Sequence, residues 1–169
     1  MCTTAGLMPR KGELREYLGD SSKWSVIHMD GSYGEGGGQI VRSALCLATL
    51  LGVSVRIERI RQGRKRPGLA AQHLTGVRML AEICQAGLEG ASLGSRELTF
   101  TPRRAPRAGQ YRFDVGRARR GGSAGAVSLV LQAVLLPLAH AAGSSRLVGE
   151  GGTHVAWSPP FHYLERIWL

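Results

Sequence analysis

The chain has 169 residues, 43% of them hydrophobic and 20% charged, which excludes a disordered polyelectrolyte and allows one ordinary domain or two small modules sharing a core. A formal charge of +10 points to a polyanionic partner, with nucleic acid first and phosphate-bearing small molecules second. The three cysteines, Cys2, Cys46 and Cys84, lack metal-ligand or disulfide-framework spacing and read as reduced core thiols of a cytoplasmic protein, or of a nuclear one in a eukaryote.

Residues 1–23 carry mixed charge without a sustained period and read as an N-terminal extension. Val26–Met29 predicts a short strand that runs into the loop Asp30-Gly31-Ser32-Tyr33-Gly34-Glu35-Gly36-Gly37-Gly38. Ile40, Ala44, Leu47, Ala48 and Leu51 then recur at helical spacing until Gly52. A Gly-rich loop that opens a helix leaves backbone N–H groups free for an anion. It is not a Walker A loop, because no Lys-Ser/Thr pair follows the last glycine. Glu35 would repel an incoming phosphate unless a divalent cation lay between them. The alternative is a tight turn that merely caps a buried helix, with Glu35 complementing its dipole.

Residues 53–60 alternate like a half-buried strand. Arg61, Arg64, Lys65 and Arg66 then crowd a turn closed by Pro67-Gly68, where four cations repel one another unless an anion joins them or water solvates them. Leu69, His73, Leu74, Val77, Leu80, Ala81 and Cys84 mark a second amphipathic helix, and short strands are expected at 88–93 and 97–101. On that helix His73 falls on the apolar stripe, which suits a satisfied core histidine. It also follows the basic turn beside Gln72, which makes the pair candidates for RNA or nucleotide contact.

The order β-α-β-α-β-β then begins again. Tyr111–Val115 predicts a strand, Gly121–Gly125 a second glycine loop, Ala126–Ala142 an apolar helix and Ser145–Val148 a strand. Gly151-Gly152-Thr153 forms a turn, and Pro159-Pro160 opens a further helix. Ser128, Gln132, Pro137 and His140 interrupt the apolar run, so it reads as a buried helix and no membrane is expected as a partner. The fold class expected is α/β, with a first repeat over 24–103 and a second over 104–169 that stops before its closing strands.

The segments DGSYGEGGGQIVRSAL, RQGRKRPGLAAQHLTG, GSAGAVSLVLQAVLLPL and EGGTHVAWSPPFHYLER, in that order and spacing, strongly resemble the RNA 3′-terminal phosphate cyclase family over residues 25–169. The resemblance implies three βαβαββ repeats with an inserted small domain. The insert and third repeat are then missing here, as in a fragment, a truncated gene product or a shortened relative. It implies ATP as co-substrate, Mg²⁺ or Mn²⁺, and an RNA with a 3′-phosphate end as partner. In that chemistry a histidine takes AMP from ATP, AMP passes to the RNA 3′-phosphate, and the neighbouring 2′-hydroxyl displaces it to leave a 2′,3′-cyclic phosphate.

Carried onto this chain, the resemblance makes Glu35 the metal-side carboxylate and Arg42 a phosphate-facing or simply surface arginine. Gln132 becomes a nucleotide contact in place of an internally bonded amide, and Pro159 a wall of the adenine pocket. Arg61, Arg64, Lys65, Arg66, Gln72 and His73 become the RNA and phosphate side. The family's nucleophilic histidine lies in the third repeat, and none of His28, His73, His140, His154 or His162 stands in an equivalent context. Two rival readings are a non-catalytic cyclase-like protein of RNA binding or ribosome assembly, and a sugar-phosphate transferase on similar repeats. Retention of Glu35, the loop and Gln132 argues against the first, and the ordered motif set against the second.

Overall fold

The computed structural model describes residues 26–116, 125–156 and 158–168. The N-terminal extension, Cys2 and residues 121–124 of the second glycine loop lie outside the described residues. Parallel strands β1 (Ile27–Asp30) and β2 (Val55–Glu58) flank helix α1 (Gly38–Leu51), with Ile27 opposite Val55 and Asp30 opposite Glu58. Helix α2 (Ala71–Cys84) follows, then β3 (Gly87–Glu89) and β4 (Leu98–Thr101), which complete a sheet of order β1-β2-β4-β3 with antiparallel β2–β4 and β3–β4 pairs. The second unit repeats the opening of the first. Strand β5 (Gln110–Asp114), helix α3 (Val127–His140) and strand β6 (Arg146–Glu150) form another parallel βαβ, and a short helical segment, Phe161–Tyr163 and Leu164–Trp168, follows. The chain is thus an α/β fold of two βαβαββ-type units, fewer elements being present in the second.

Alternation decides which strand face is covered. Val55 and Ile57 on β2 are buried and lie opposite Phe100 and Leu98 on β4, giving two apolar rows under the helices. The helix stripes do the rest: Val41, Leu45 and Ala48 on α1, Val77, Leu80 and Ile83 on α2, and Val130, Ala133 and Val134 on α3 form one cluster. Gly76 on α2 faces Ala133 on α3, where an added Cβ would make an ordinary contact at 3.8 Å. The α3 run therefore serves packing, and among the described residues no helix is long and apolar enough to cross a membrane. Cys46 and Cys84 are buried free thiols, as expected, and burial pushes both upward from the ordinary thiol pKa.

Two strands stop at least two residues short of the sequence expectation, while the others differ by a residue or two in register or length. The strand expected over 53–60 ends at Glu58, because Arg59 and Arg61 adopt left-handed φ of 53° and 54°. That turn is held by buried Ile60, whose N–H donates to Arg96 O (2.9 Å) and whose carbonyl accepts from Gly68 N–H (2.8 Å). The strand expected over 88–93 ends at Glu89, where Gly90 turns the chain with φ 73° and a Cβ would crowd the Glu97 carbonyl.

Gly68 closes the basic turn with φ 82°, and a Cβ there would overlap the Gly94 carbonyl. Gly68→Ala is therefore expected to lower stability by about 2–3 kcal/mol or more, the cost of strain plus displacement of the facing loop. Chemical denaturation of both proteins checks this, and a loss below about 0.5 kcal/mol would contradict the packing described.

Candidate phosphate-binding site

The loop after β1 is organised by Asp30. Its Oδ1 accepts from the Ser32 N–H (2.9 Å) and hydroxyl (2.6 Å), and its carboxylate takes two hydrogen bonds from Arg59 (3.1 and 2.7 Å). The Ser32 donors, followed by Arg59, hold the Asp30 carboxyl below its ordinary pKa. Gly34 and Gly36 turn the chain with φ of 59° and 55°, a conformation that glycine adopts without a Cβ penalty. Gly37 is the N-cap of α1 and no side chain caps it, so the first-turn N–H groups meet no protein acceptor from a cap.

The residues singled out in the sequence gather around this helix end. The Arg64 guanidinium lies over Gly37, where a Cβ would stand 3.4 Å from Nη2, and it pairs with Glu35 (3.3 Å). The Glu35 side chain is otherwise open to solvent, at 93% exposure. Arg61 is half-buried and donates from Nη1 to Gly68 O (2.8 Å). Lys65 and Arg66 are exposed and form no ion pair among the described residues.

His73 is buried, and its ring packs so tightly on Gly38 that any Cβ there would overlap it. Its Nδ1 accepts from the Ala70 N–H (3.1 Å), so the neutral ring carries its proton on Nε2. Burial first, then the charges of Arg61 and Arg42, push its pKa down to about 3. The core-histidine reading of His73 thus describes its hydrogen bonding, while its position is against the loop end. Gln72, next to it, faces the second glycine loop, where its Oε1 would stand 3.1 Å from a Cβ at Gly125.

Arg42 turns sideways along α1. Its Nε–H donates to Gln132 Oε1 on α3 (3.1 Å) and its Nη2–H to Gln39 Oε1 (2.7 Å), while Gln39 donates to Ser43 Oγ (2.7 Å). Burial lowers the pKa of both Arg42 and Arg61, the latter helped by the charge of Arg64. Gln39 and Ser43 were not singled out in the sequence, although the i,i+3 spacing of Gln39 and Arg42 was available as a signal. Pro159 lies in the segment ahead of the terminal helix, whose N-cap is Pro160. The structure therefore joins Glu35, Arg42, Arg61, Arg64, His73 and Gln132 around one helix end, and leaves Lys65, Arg66 and Pro159 outside that network.

Three guanidinium groups and a helix N-terminus beside a single salt-bridged carboxylate are groups with the chemistry to attract an anion such as phosphate. A sequence model of the RNA 3′-terminal phosphate cyclase family matches residues 33–169. The chain belongs to that family. A protein of Methylococcus capsulatus named RNA 3′-terminal phosphate cyclase is 59% identical over 145 residues, covering 86% of this chain and 40% of the relative. Cyclases so named from Nostoc punctiforme and Archaeoglobus fulgidus are 56% and 46% identical, each over 144 residues and 85% of this chain, and 41% and 42% of their own lengths. The chain thus spans about 40% of the length of the curated cyclases it matches.

The buried neutral His73 makes stability depend on pH. Between its unfolded pKa of about 6.5 and its folded value of about 3, only the unfolded chain binds the proton. Its contribution is complete above pH 6.5 and is lost as pH falls, with a slope of up to about 1.4 kcal/mol per pH unit. In His73→Asn, whose side-chain oxygen can still accept from Ala70, that slope is expected to flatten between pH 6.5 and 4.5. Denaturation midpoints across this range test it, and identical slopes would show that His73 protonates freely in the fold.

Proposed function

We propose that the N-terminal end of α1 is the polyphosphate and RNA-end subsite of an ATP-dependent RNA 3′-phosphate cyclase. On this reading the chain supplies the phosphate-holding side of the conversion of an RNA 3′-phosphate to a 2′,3′-cyclic phosphate. The observation that carries it is the uncapped glycine N-terminus of α1, ringed by Arg42, Arg61 and Arg64, with the histidine at its centre neutral. Each step of such a reaction displaces a group at phosphorus. Catalysis then consists mainly of alignment and of cancelling negative charge, and fixed arginines and backbone N–H groups supply both.

The Glu35–Arg64 pair suits exchange. Both side chains are exposed, 93% and 45%, so the pair is worth about 0–1 kcal/mol at most. An arriving phosphate takes Arg64 at little cost and releases Glu35. Among the described residues no three His, Cys, Asp or Glu side chains are grouped as a cage for a metal. One exposed carboxylate is instead what Mg²⁺ or Mn²⁺ needs when its remaining ligands are water and substrate oxygens. Bound there, such an ion would neutralise and orient the phosphates. Gln132, its carbonyl oxygen held by Arg42, keeps its NH₂ to donate to the nucleotide, and Pro159 belongs to the adenine side of the same proposal. The division into repeats at 24–103 and 104–169, and a cytoplasmic setting, are part of it too.

No histidine is assigned as nucleophile. His73 is the one beside the site, and its burial and its bond from Ala70 give it a structural task. Incubation of the chain with α-labelled ATP and Mg²⁺ or Mn²⁺ is accordingly expected to leave no acid-labile AMP on the protein after denaturing electrophoresis. A labelled band would place a nucleophile within these 169 residues.

Nucleotide binding tests the site itself. In Arg64→Ala, ATP affinity is expected to fall about tenfold or more, the worth of one charge-assisted hydrogen bond. In Glu35→Ala, metal-free ATP is expected to bind at least as well as before, while the gain in affinity on adding Mg²⁺ shrinks. Titration calorimetry with and without metal reads both, and an undiminished Mg²⁺ gain in Glu35→Ala would reject the metal-side role.

A further inference from the structure

A second set of cations lies at the opposite end of the helical layer. The segment after β4 wraps the C-terminus of α2: the N–H groups of Arg103 and Arg104 donate to Cys84 O (3.3 and 3.0 Å), and that of Arg107 to Ile83 O (3.1 Å). Arg107 also bridges to Ala142 just beyond α3, and the Arg146 N–H donates to Gly109 O (2.9 Å). The Tyr111 hydroxyl donates to Arg107 O (2.7 Å) and stiffens the same segment. Four exposed arginines therefore rise from backbone pinned to two helix ends and the start of β6.

Several exposed arginines elsewhere are paired with carboxylates, although Arg66, Arg78 and Arg96 form no ion pair among the described residues. Arg56 meets Glu58 and Glu97, Arg59 meets Asp30, and Arg112 meets Glu150. Arg103, Arg104, Arg107 and Arg146 form no ion pair among the described residues. The plain alternative is that they complement helix dipoles, but each C-terminus carries only about −0.5 of a charge. Those of α2 and α3 together offset about one of the four cations. Glu82, the carboxylate that acts on Tyr111 together with Arg107, offsets one more. An excess of about two positive charges is left on a rigid platform.

The platform's distance from the α1 end indicates what fits it. Helix α2 starts beside the loop end with His73 and finishes under Arg103 and Arg104, and its 14 residues span about 21 Å. Exposed Arg78 lies between, on the same outward stripe as Glu82 and Gln85. A mononucleotide at the α1 end cannot reach so far. A nucleic-acid strand can, and at about 3.4 Å of axis per phosphate the gap corresponds to about six nucleotides. We infer that Arg103, Arg104, Arg107 and Arg146 are a second, sequence-independent contact for the body of the RNA strand whose 3′-phosphate lies at the α1 N-terminus. This rests on the reading of that end as the RNA-end subsite.

The test compares a 3′-phosphorylated 12-nucleotide RNA with a 3′-phosphorylated dinucleotide, binding to the 169-residue chain from about 50 to 200 mM salt by fluorescence anisotropy. For R103Q/R104Q/R107Q the long RNA is expected to bind about tenfold to a hundredfold more weakly, with its salt slope reduced by about 2, at about 0.7 per phosphate contact. The dinucleotide should bind unchanged, and R103K/R104K/R107K should keep the slope. An unchanged slope for the long RNA overturns the inference. So does an equal loss for both lengths, or a lysine variant as weak as the glutamine one. If 3′-hydroxyl and 3′-phosphate 12-mers bind alike, recognition of the end fails, whereas a length-dependent loss in the glutamine variant still establishes the platform.

Discussion

The contact between the His73 ring and Gly38 is the constraint on which the site depends. It joins the first turn of α2 to the first turn of α1 at a separation that no residue with a Cβ would allow. The same ring accepts the Ala70 N–H that would otherwise be left without a partner at the start of α2. Gly37-Gly38 therefore serves two ends at once. The absence of side chains leaves α1 uncapped toward solvent and lets the histidine close in from the protein side. Burial first, and the nearby Arg61 and Arg42 after it, keep that histidine neutral, so no counter-ion is needed for it within the fold.

A second link ties the two βαβ units together. Arg42 and Gln132 stand 90 residues apart, yet their hydrogen bond crosses from α1 to α3 at the site end of the helical layer. Helices α2 and α3 meet where Gly76 faces Ala133, and the three helices share one core. Because burial lowers the proton affinity of Arg42 only from a very high starting value, the group stays charged. A half-buried guanidinium with one edge held by two amide oxygens is costly to desolvate further and gains from an anion on its open side.

Much of this was readable in the sequence, for identifiable reasons. The helices follow from 3.6-residue apolar spacing, and the observed α1, α2 and α3 begin or end within two residues of it, since Gly52 and the loop glycines mark the stops. Strand ends were less readable, because they depend on backbone dihedrals that arginine rarely adopts. Nothing in the letters of Arg59 and Arg61 announces φ near +50°. The bidentate Arg59–Asp30 contact, the Gly68 carbonyl bonded to Arg61, and the burial of Ile60 over-determine that turn only once β1 and β4 are in place. The residues that gather at the α1 end were nameable from their motifs as candidates. That Arg42 lies sideways against Gln132, and that Glu35 is held by Arg64, are long-range facts with no local signal.

The charge of the chain divides by geometry. Two strand arginines find carboxylates: Arg56 reaches Glu58 and Glu97, and Arg112 reaches Glu150, opposite Arg112's neighbour two residues on in the β5–β6 register. At the helix ends Arg61 binds a backbone carbonyl and Arg64 only the exposed Glu35, while Arg103, Arg104 and Arg107 form no ion pair among the described residues. Among the described residues, cations that lack a carboxylate partner gather at two places, the N-terminal end of α1 and the C-terminal ends of α2 and α3, with Arg78 between them. A ligand with one phosphate cluster satisfies the first group alone. A ligand with a phosphate at every few ångströms would satisfy both, and that difference is the physical content of the proposal that a strand, and not a free nucleotide alone, spans them.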